Sequence, residues 1–225
     1  MPAPVRLEAV QPATSRRVGL NFLEHTLKRA FDLASVVVIL ALFGWLMLII
    51  AVAVRLTGGG VIFGHERVGR GGRVFRCYKF RSMVPNSEEV LRQLLETDAE
   101  AREQWARDFK LKDDPRITRI GRFIRKTSLD ELPQLWNVVK GEMSIVGPRP
   151  VIQTEFDQYY GNAREHYLSV PPGLTGLWQV SGRNDLDYVQ RVELDKRYVE
   201  TWNVFSDFMI VMRTVKVMIG RHGAY

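Results

Sequence analysis

Residues 33–54 read LASVVVILALFGWLMLIIAVAV, 22 positions without a charged side chain, interrupted only by Ser35 and Gly44. As an α-helix this run is ~33 Å long, about the thickness of a bilayer's hydrocarbon core. It starts too far from Met1, is too long and lacks the small-residue cleavage pattern of a signal peptide. It is therefore read as a membrane helix. The chain divides around it into a basic tail over residues 1–26, a membrane-embedded helix over 27–57 and a water-facing domain over 58–225.

Arg16, Arg17, Lys28 and Arg29 precede the run, and Arg55, Arg67, Arg70, Arg73, Arg76, Lys79 and Arg81 follow it. Lys and Arg accumulate on the cytoplasmic side of a membrane helix, so the larger downstream excess places the bulk of the chain there. Basic residues on both flanks fit a helix that enters and leaves by one face as well as one that spans. Gly44 alone does not choose, because one Gly weakens a helix by only ~1 kcal/mol relative to Ala.

The net charge of +7 calls for an anionic partner: nucleic acid, anionic lipid or a phosphorylated small molecule. With 46% hydrophobic and 25% charged residues, a disordered chain is excluded. The lone Cys77 excludes an internal disulfide and any Cys-based metal cluster within one chain. His25, His65, His166 and His222 show no ligand spacing.

Residues 61–68 and 74–81 read as two strands joined by a hairpin loop at Gly69-Arg70-Gly71-Gly72. Alternation puts Phe75, Cys77, Lys79 and Arg81 on one face, where two cations either hold a phosphate or form a solvated edge. Residues 87–112 are acidic and helical in character, with Ser87 as N-cap. Asp113-Asp114-Pro115 ends that helix. Arg116, Arg119, Arg122, Arg125 and Lys126 then stripe one helix face with cations, for lipid head groups or a pyrophosphate.

Ser128-Leu129-Asp130-Glu131-Leu132-Pro133-Gln134-Leu135 is the most informative stretch. Pro133 places a helix start at residues 130–133. Asp130 and Glu131 are then either ordinary N-terminal helix residues or a working pair of carboxylates. Lys79, Arg81, Arg125, Arg149 and Arg183 supply cations from turn-rich contexts, Arg149 in Gly147-Pro148-Arg149-Pro150 and Arg183 in Ser181-Gly182-Arg183-Asn184. Two carboxylates beside several held cations suit a phosphate ester with Mg²⁺: the carboxylates hold the metal and one attacks phosphorus.

At these residues the sequence resembles the bacterial polyprenyl-phosphate sugar phosphotransferases, the monotopic phosphoglycosyl transferases. The matching blocks are Lys28-Arg29-Ala30-Phe31-Asp32, Glu66-Arg67-Val68-Gly69 and Tyr78-Lys79-Phe80-Arg81-Ser82-Met83, then Asp114-Pro115-Arg116-Ile117-Thr118 and residues 127–134, 141–150 and 172–183. They follow in order from about residue 27 to 219, most like the short members of the hexose-transferring exopolysaccharide branch.

The resemblance implies a helix-rich α+β fold with one N-terminal re-entrant (monotopic) membrane helix, a small β-hairpin and a C-terminal amphipathic helix. The catalytic domain then lies on the cytoplasmic face of the bacterial inner membrane. It implies transfer of hexose-1-phosphate from a UDP-hexose (glucose or galactose) to undecaprenyl phosphate, releasing UMP, as the first membrane step of exopolysaccharide synthesis. Asp130 corresponds to the nucleophile, forming a phosphosugar–aspartate intermediate, and Glu131 to its Mg²⁺-associated partner. Lys79, Arg81, Arg125, Arg149 and Arg183 correspond to phosphate-binding positions, and Asp207 to a late acidic residue that orders the site. Membrane lipids are partners, nucleic acid is not, and homo-oligomerisation is left open.

One departure stands out: relatives usually carry Ser-Pro in mid-run, where this chain has Gly44-Trp45. In the tail, Phe205, Phe208, Met209, Met212, Val215 and Ile219 line one side of a helix, with Arg213, Lys216 and Arg221 beside it. A rival from another class is a non-enzymatic, membrane-tethered binder of anionic lipid or nucleic acid. It leaves Asp130 and Glu131 without a role, since adjacent carboxylates repel phosphate.

Overall fold

The computed structural model describes residues 18–108, 111–182 and 186–220. Arg183, Asn184, Arg221, His222 and the basic tail through residue 17 lie outside the described residues.

The apolar run forms part of a longer helix, α1 (Phe22–Arg55). It starts early because Asn21 and Glu24 form a capping box: Asn21 Oδ1 accepts the Glu24 N–H and Glu24 Oε2 accepts the Asn21 N–H, both at 2.9 Å. The helix runs unbroken through Gly44 and Trp45, and the Trp45 indole donates to Leu42 O at 2.8 Å on its own helix. By length and composition α1 can cross a membrane, and only 11% of its most apolar window is buried. This apolar surface, with Val37, Leu42, Trp45, Leu48 and Val52 exposed, marks a membrane-associated chain.

The buried residues of α1 are equally informative. Lys28, Asp32 and Val36 near one end, and Ile50 and Val54 near the other, pack on the same body. Lys28 and Arg29 are therefore not free flank cations, as the positive-inside argument took them to be. Lys28 is buried, and Arg29 donates to Val138 O and Val139 O.

A hairpin follows, β1 (Ile62–Val68) and β2 (Val74–Phe80), antiparallel from Ile62↔Phe80 to Val68↔Val74. The turn works because Gly71 and Gly72 take positive φ, 66° and 78°. Phe75 and Cys77 enter the main core beside Leu135, Val138 and Ile145. Phe80, on the other face, joins Ile50, Val54 and Ile124.

The acidic excursion is two helices, α2 (Ser87–Thr97) and α3 (Ala99–Asp108), rather than one. Asp98 breaks it by capping α3, accepting the Ala101 N–H at 3.0 Å. The N-cap of α2 is Asn86, one residue before the expected Ser87. The excursion leaves and returns through a hydrogen-bonded neck, where Val84 N–H donates to Arg116 O at 2.8 Å and Thr118 N–H to Ser82 O at 3.0 Å. Arg116 belongs to this neck and not to a cationic stripe: it is buried and ion-paired to Asp114 at 2.7 Å.

Helix α4 (Arg119–Lys126) begins on Thr118, whose hydroxyl accepts the Gly121 N–H at 2.9 Å. It lies so close to the neck that a Cβ on Gly121 would sit 2.0 Å from Ser82 O. Gly121→Ala is therefore expected to destabilise by about 2 kcal/mol despite the better helix propensity of Ala. An unchanged or raised thermal midpoint would contradict this packing.

The remainder is α5 (Gln134–Lys140), β3 (Ser144–Val146), α6 (Gln153–Tyr159), α7 (Arg164–Ser169), β4 (Gly173–Thr175), α8 (Leu177–Ser181), α9 (Tyr188–Glu200) and α10 (Val204–Gly220). β3 and β4 pair in parallel, Ser144 with Gly173 and Val146 with Thr175. The fold is helix-rich α+β, as expected. On α10, Asp207 and Ile210 are buried while Phe205, Phe208, Met212 and Val215 are exposed.

Candidate active site

The carboxylate pair does not start a helix. Ser128 takes the left-handed conformation (φ 56°), the only non-glycine among the described residues to do so, and turns the chain sharply after α4. Leu129–Glu131 then form a single 3₁₀ turn, and α5 begins only at Gln134, with Pro133 as an N-cap that makes no side-chain hydrogen bond. The ordinary helix-capping explanation of Asp130 and Glu131 is thereby removed.

What replaces it is a compact charge cluster. Lys79, late in β2, places Nζ 2.6 Å from Glu131 Oε1 and 3.9 Å from Asp130 Oδ2. Asp130 is buried, whereas Glu131 and Lys79 are each about one-third exposed. Burial pushes the Asp130 carboxyl up to about 6; Lys79 opposes this, Glu131 adds to it and Arg125 opposes it. Two negative groups side by side are thus incompletely balanced by one ammonium.

Arg125 stands at the end of α4, its Nε donating to Ser82 Oγ at 2.7 Å. Burial lowers the pKa of its guanidinium, against the attraction of Asp130 and Asp114. Ser82 therefore fixes both the neck, through its carbonyl, and the arginine beside the carboxylates. Asn137 performs a similar service for β2. Its Oδ1 accepts the Tyr78 N–H at 3.0 Å and its Nδ2 donates to Arg76 O at 2.7 Å, which holds the strand that carries Lys79.

A second basic group surrounds Trp178. The guanidinium carbons of Arg149 and Arg191 lie 5.5 and 5.0 Å from the indole ring. The Arg149 backbone is held by the buried Asp195, whose Oδ2 accepts the Arg149 N–H at 3.3 Å and the Tyr160 hydroxyl at 2.8 Å. Burial raises the Asp195 carboxyl to about 7, against these two hydrogen bonds and the Arg149 charge. Burial likewise lowers Arg67, with Arg149 a like-charged neighbour. Cys77 is raised to about 11, mainly by burial, with Lys79, Glu131, Arg67 and Arg149 as charged neighbours.

Two expected site residues lie elsewhere. The Arg81 guanidinium closes the end of α1, donating to Gly60 O at 2.6 Å, Thr57 Oγ1 at 2.9 Å, Val54 O at 3.1 Å and Gly58 O. Asp207 sits in the core, paired with Lys28 at 2.7 Å, and orders the junction of α1 and α10. Sequence reasoning missed Ser82, Asn137, Arg67, Arg191 and Asp195. For Asn137 a signal existed, an amide inside the apolar stretch Leu135-Trp136-Asn137-Val138-Val139.

Among the described residues no group of three or more His, Cys, Asp or Glu could hold a metal ion. Asp130 and Glu131 alone fit Mg²⁺ in the mode that uses one or two carboxylates and completes its octahedron with substrate phosphate and water. The incompletely balanced negative charge on this pair is consistent with a cation there.

The family model for bacterial sugar transferases matches residues 23–221. The chain is 56% identical over 212 residues to a UDP-galactose-lipid carrier transferase of Erwinia amylovora, covering 93% of this chain and 44% of that protein. It is 55% identical over 199 residues to an undecaprenyl-phosphate galactose phosphotransferase of Salmonella typhimurium, covering 88% and 42%. Identity to the exopolysaccharide production protein ExoY of Rhizobium meliloti is 46% over 199 residues, 88% of each chain. The chain thus spans less than half the length of the first two relatives and matches most of the third. With the match running from the first turn of α1 beyond the end of α10, through both carboxylates and the cations around them, the chain belongs to the bacterial sugar transferase family.

Proposed function

We propose that the chain transfers hexose-1-phosphate from a UDP-hexose, galactose or glucose, to undecaprenyl phosphate, giving undecaprenyl-diphospho-hexose and UMP in the first membrane step of exopolysaccharide synthesis. The observation that carries this reading is the buried Asp130, held on a strained turn beside Glu131 and Lys79 and free of any helix-capping duty. The names of the relatives support the lipid acceptor and galactose.

In this reading the transfer takes two steps. In the first step an Asp130 carboxylate oxygen attacks the β-phosphorus of the donor, and the bond from that phosphorus to the bridging oxygen breaks, releasing UMP. In the second, a phosphate oxygen of the acceptor attacks the same phosphorus and the Asp130 carboxylate leaves. A carboxylate needs no general base, and its acyl phosphate is reactive enough to pass the group on. Lys79 and Arg125 offset the repulsion between carboxylate and diphosphate. Arg149, Arg67 and Arg191 supply charge for the nucleotide end. Mg²⁺, held by Asp130 and Glu131, would add further neutralisation of phosphate charge.

A soluble donor and a lipid acceptor meet at the cytoplasmic face of the bacterial inner membrane. Both ends of α1 pack on one body, which supports placing both ends at the same membrane face. Val18, exposed just before α1, provides a check. Val18→Cys in a Cys77→Ser background is expected to react with an impermeant maleimide in inverted vesicles only; reaction in spheroplasts would reject the same-face topology. The reading itself is tested by UMP release from a panel of UDP-hexoses with undecaprenyl phosphate in nanodiscs. Absence of acceptor-dependent UMP would reject it.

A further inference from the structure

We propose that the outer face of α4 binds the head groups of acidic phospholipids beside the end of α1, a role independent of the transfer reading above. The sequence offers five cations in this stretch, and the structure divides them. Arg116 is paired with Asp114 in the neck, and Arg125 is tied to Ser82 beside the carboxylates. Arg119, Arg122 and Lys126 remain. Spaced three and four residues apart, they form with Phe123 one exposed side of the helix, opposite the buried Gly121 and Ile124. Among the described residues none of these three cationic side chains makes an ion pair or a hydrogen bond.

Three observations select the occupant. The first is position. Ile120 and Ile124, on the inner side of α4, pack with Ile50 and Val54 of α1. Ile50 precedes Arg55, where α1 ends, by ~8 Å of helix at 1.5 Å per residue. α4 is thus held against the last turns of the membrane helix, where head groups lie. The second is Phe123, 54% exposed on the same side as the cations. An exposed aromatic ring among Arg and Lys suits the interface, where acyl chains meet charged head groups. The third is charge. Three cations without a counter-charge complement an anionic head group, whereas a zwitterionic one brings no net charge. The carboxylate cluster has its own cations in Lys79 and Arg125, so the outer face of α4 is not part of it.

The test uses the full chain in detergent micelles, stripped of lipid, with the thermal midpoint as readout. It is titrated with phosphatidylglycerol, phosphatidylcholine or inorganic phosphate. A ligand that binds only the folded state raises the midpoint as it saturates. Phosphatidylglycerol is expected to raise it well beyond phosphatidylcholine at equal concentration, and free phosphate to leave it unmoved. Arg119→Gln/Arg122→Gln, at two exposed and unpaired positions, should leave the fold intact. It should weaken the apparent affinity for phosphatidylglycerol roughly thirtyfold. Arg119→Lys/Arg122→Lys, which keeps the charge, should retain most of the wild-type response. Arg73→Gln/Arg76→Gln, the same loss of charge at exposed positions of the hairpin, should retain all of it. An equal response to phosphatidylcholine, or none to phosphatidylglycerol, overturns the proposal. An unchanged response in the α4 glutamine variant overturns it too, leaving a solvated charged face. Equal loss in the hairpin variant also overturns it, since the effect is then one of net charge. Undecaprenyl phosphate should shift the wild type and the α4 variant alike. Loss of its shift together with that of phosphatidylglycerol would assign the face to the acceptor instead. Turnover enters none of these readouts, so the proposal and the transfer reading fail separately.

Discussion

Asp130→Asn is expected to abolish transfer while making the protein more stable at neutral pH. Removing a covalent nucleophile costs on the order of 10⁴-fold or more in turnover. The stability gain follows from the carboxyl being raised from 3.8 to about 6 by burial. A group whose folded-state pKa lies above its unfolded value contributes its full stability below the unfolded value. It loses that contribution as pH rises through the folded one. The wild-type chain therefore carries a penalty of about 3 kcal/mol above pH ~6, and Asn, which does not ionise, removes it. For a chain of this size the thermal midpoint should rise by roughly 7 °C at about pH 8 and by nothing below about pH 4. Retained turnover in the variant would remove Asp130 from the chemistry. A lowered midpoint at pH 8 would show that its charge is not a burden to the fold.

How much of this was legible beforehand depends on the range of the interactions. The hairpin was readable within a residue at each end, because Gly71 and Gly72 mark the turn and alternation marks the strands. The long helix was equally plain, but its start at Phe22 was not, because a capping box outweighed the polar composition of its first turns. At the site, Asp130, Glu131, Lys79 and Arg125 were all singled out, and the structure brings them together. The local backbone there was misread: Pro133 signalled a helix start at residues 130–133, before α5 begins at Gln134, and only coordinates reveal that Ser128 is left-handed. Arg81 was expected at the site from its place beside Lys79 in the strand pattern, but its guanidinium is taken up elsewhere. The side chain answers to the carbonyls at the end of α1, which are distant in sequence. Asp195 and Arg191 gave no local signal. Their meaning lies in Arg149 and Trp178, which reach them only through the packing of α9.

The second large effect is expected at the junction of α1 with the body. Lys28 Nζ donates to Asp207 Oδ2 at 2.7 Å and to Val146 O at 2.8 Å, and Asp207 also accepts from the Tyr198 hydroxyl at 2.8 Å and the Trp202 indole at 3.0 Å. Both charged side chains are almost fully buried, 3% and 1% exposed. One turn further, Asp32 accepts from Ser144 Oγ at 2.8 Å and the Ile145 N–H at 2.9 Å, so two polar residues on one face of α1 grip β3. Removing one partner of such a pair leaves an uncompensated charge in a low-dielectric core. Asp207→Ala should therefore cost about 3–5 kcal/mol, lowering the thermal midpoint of the solubilised protein by roughly 10 °C. Removing both charges together is a different matter, because the desolvation penalty of the pair disappears with it. The double variant Lys28→Met/Asp207→Leu should recover more than half of the loss. Recovery of stability without recovery of turnover would mean that the ion pair sets the seating of α1 against the catalytic body rather than merely holding the fold. A double variant as unstable as Asp207→Ala would instead place the stabilisation in the Tyr198 and Trp202 hydrogen bonds, and the ion pair would lose its assigned role.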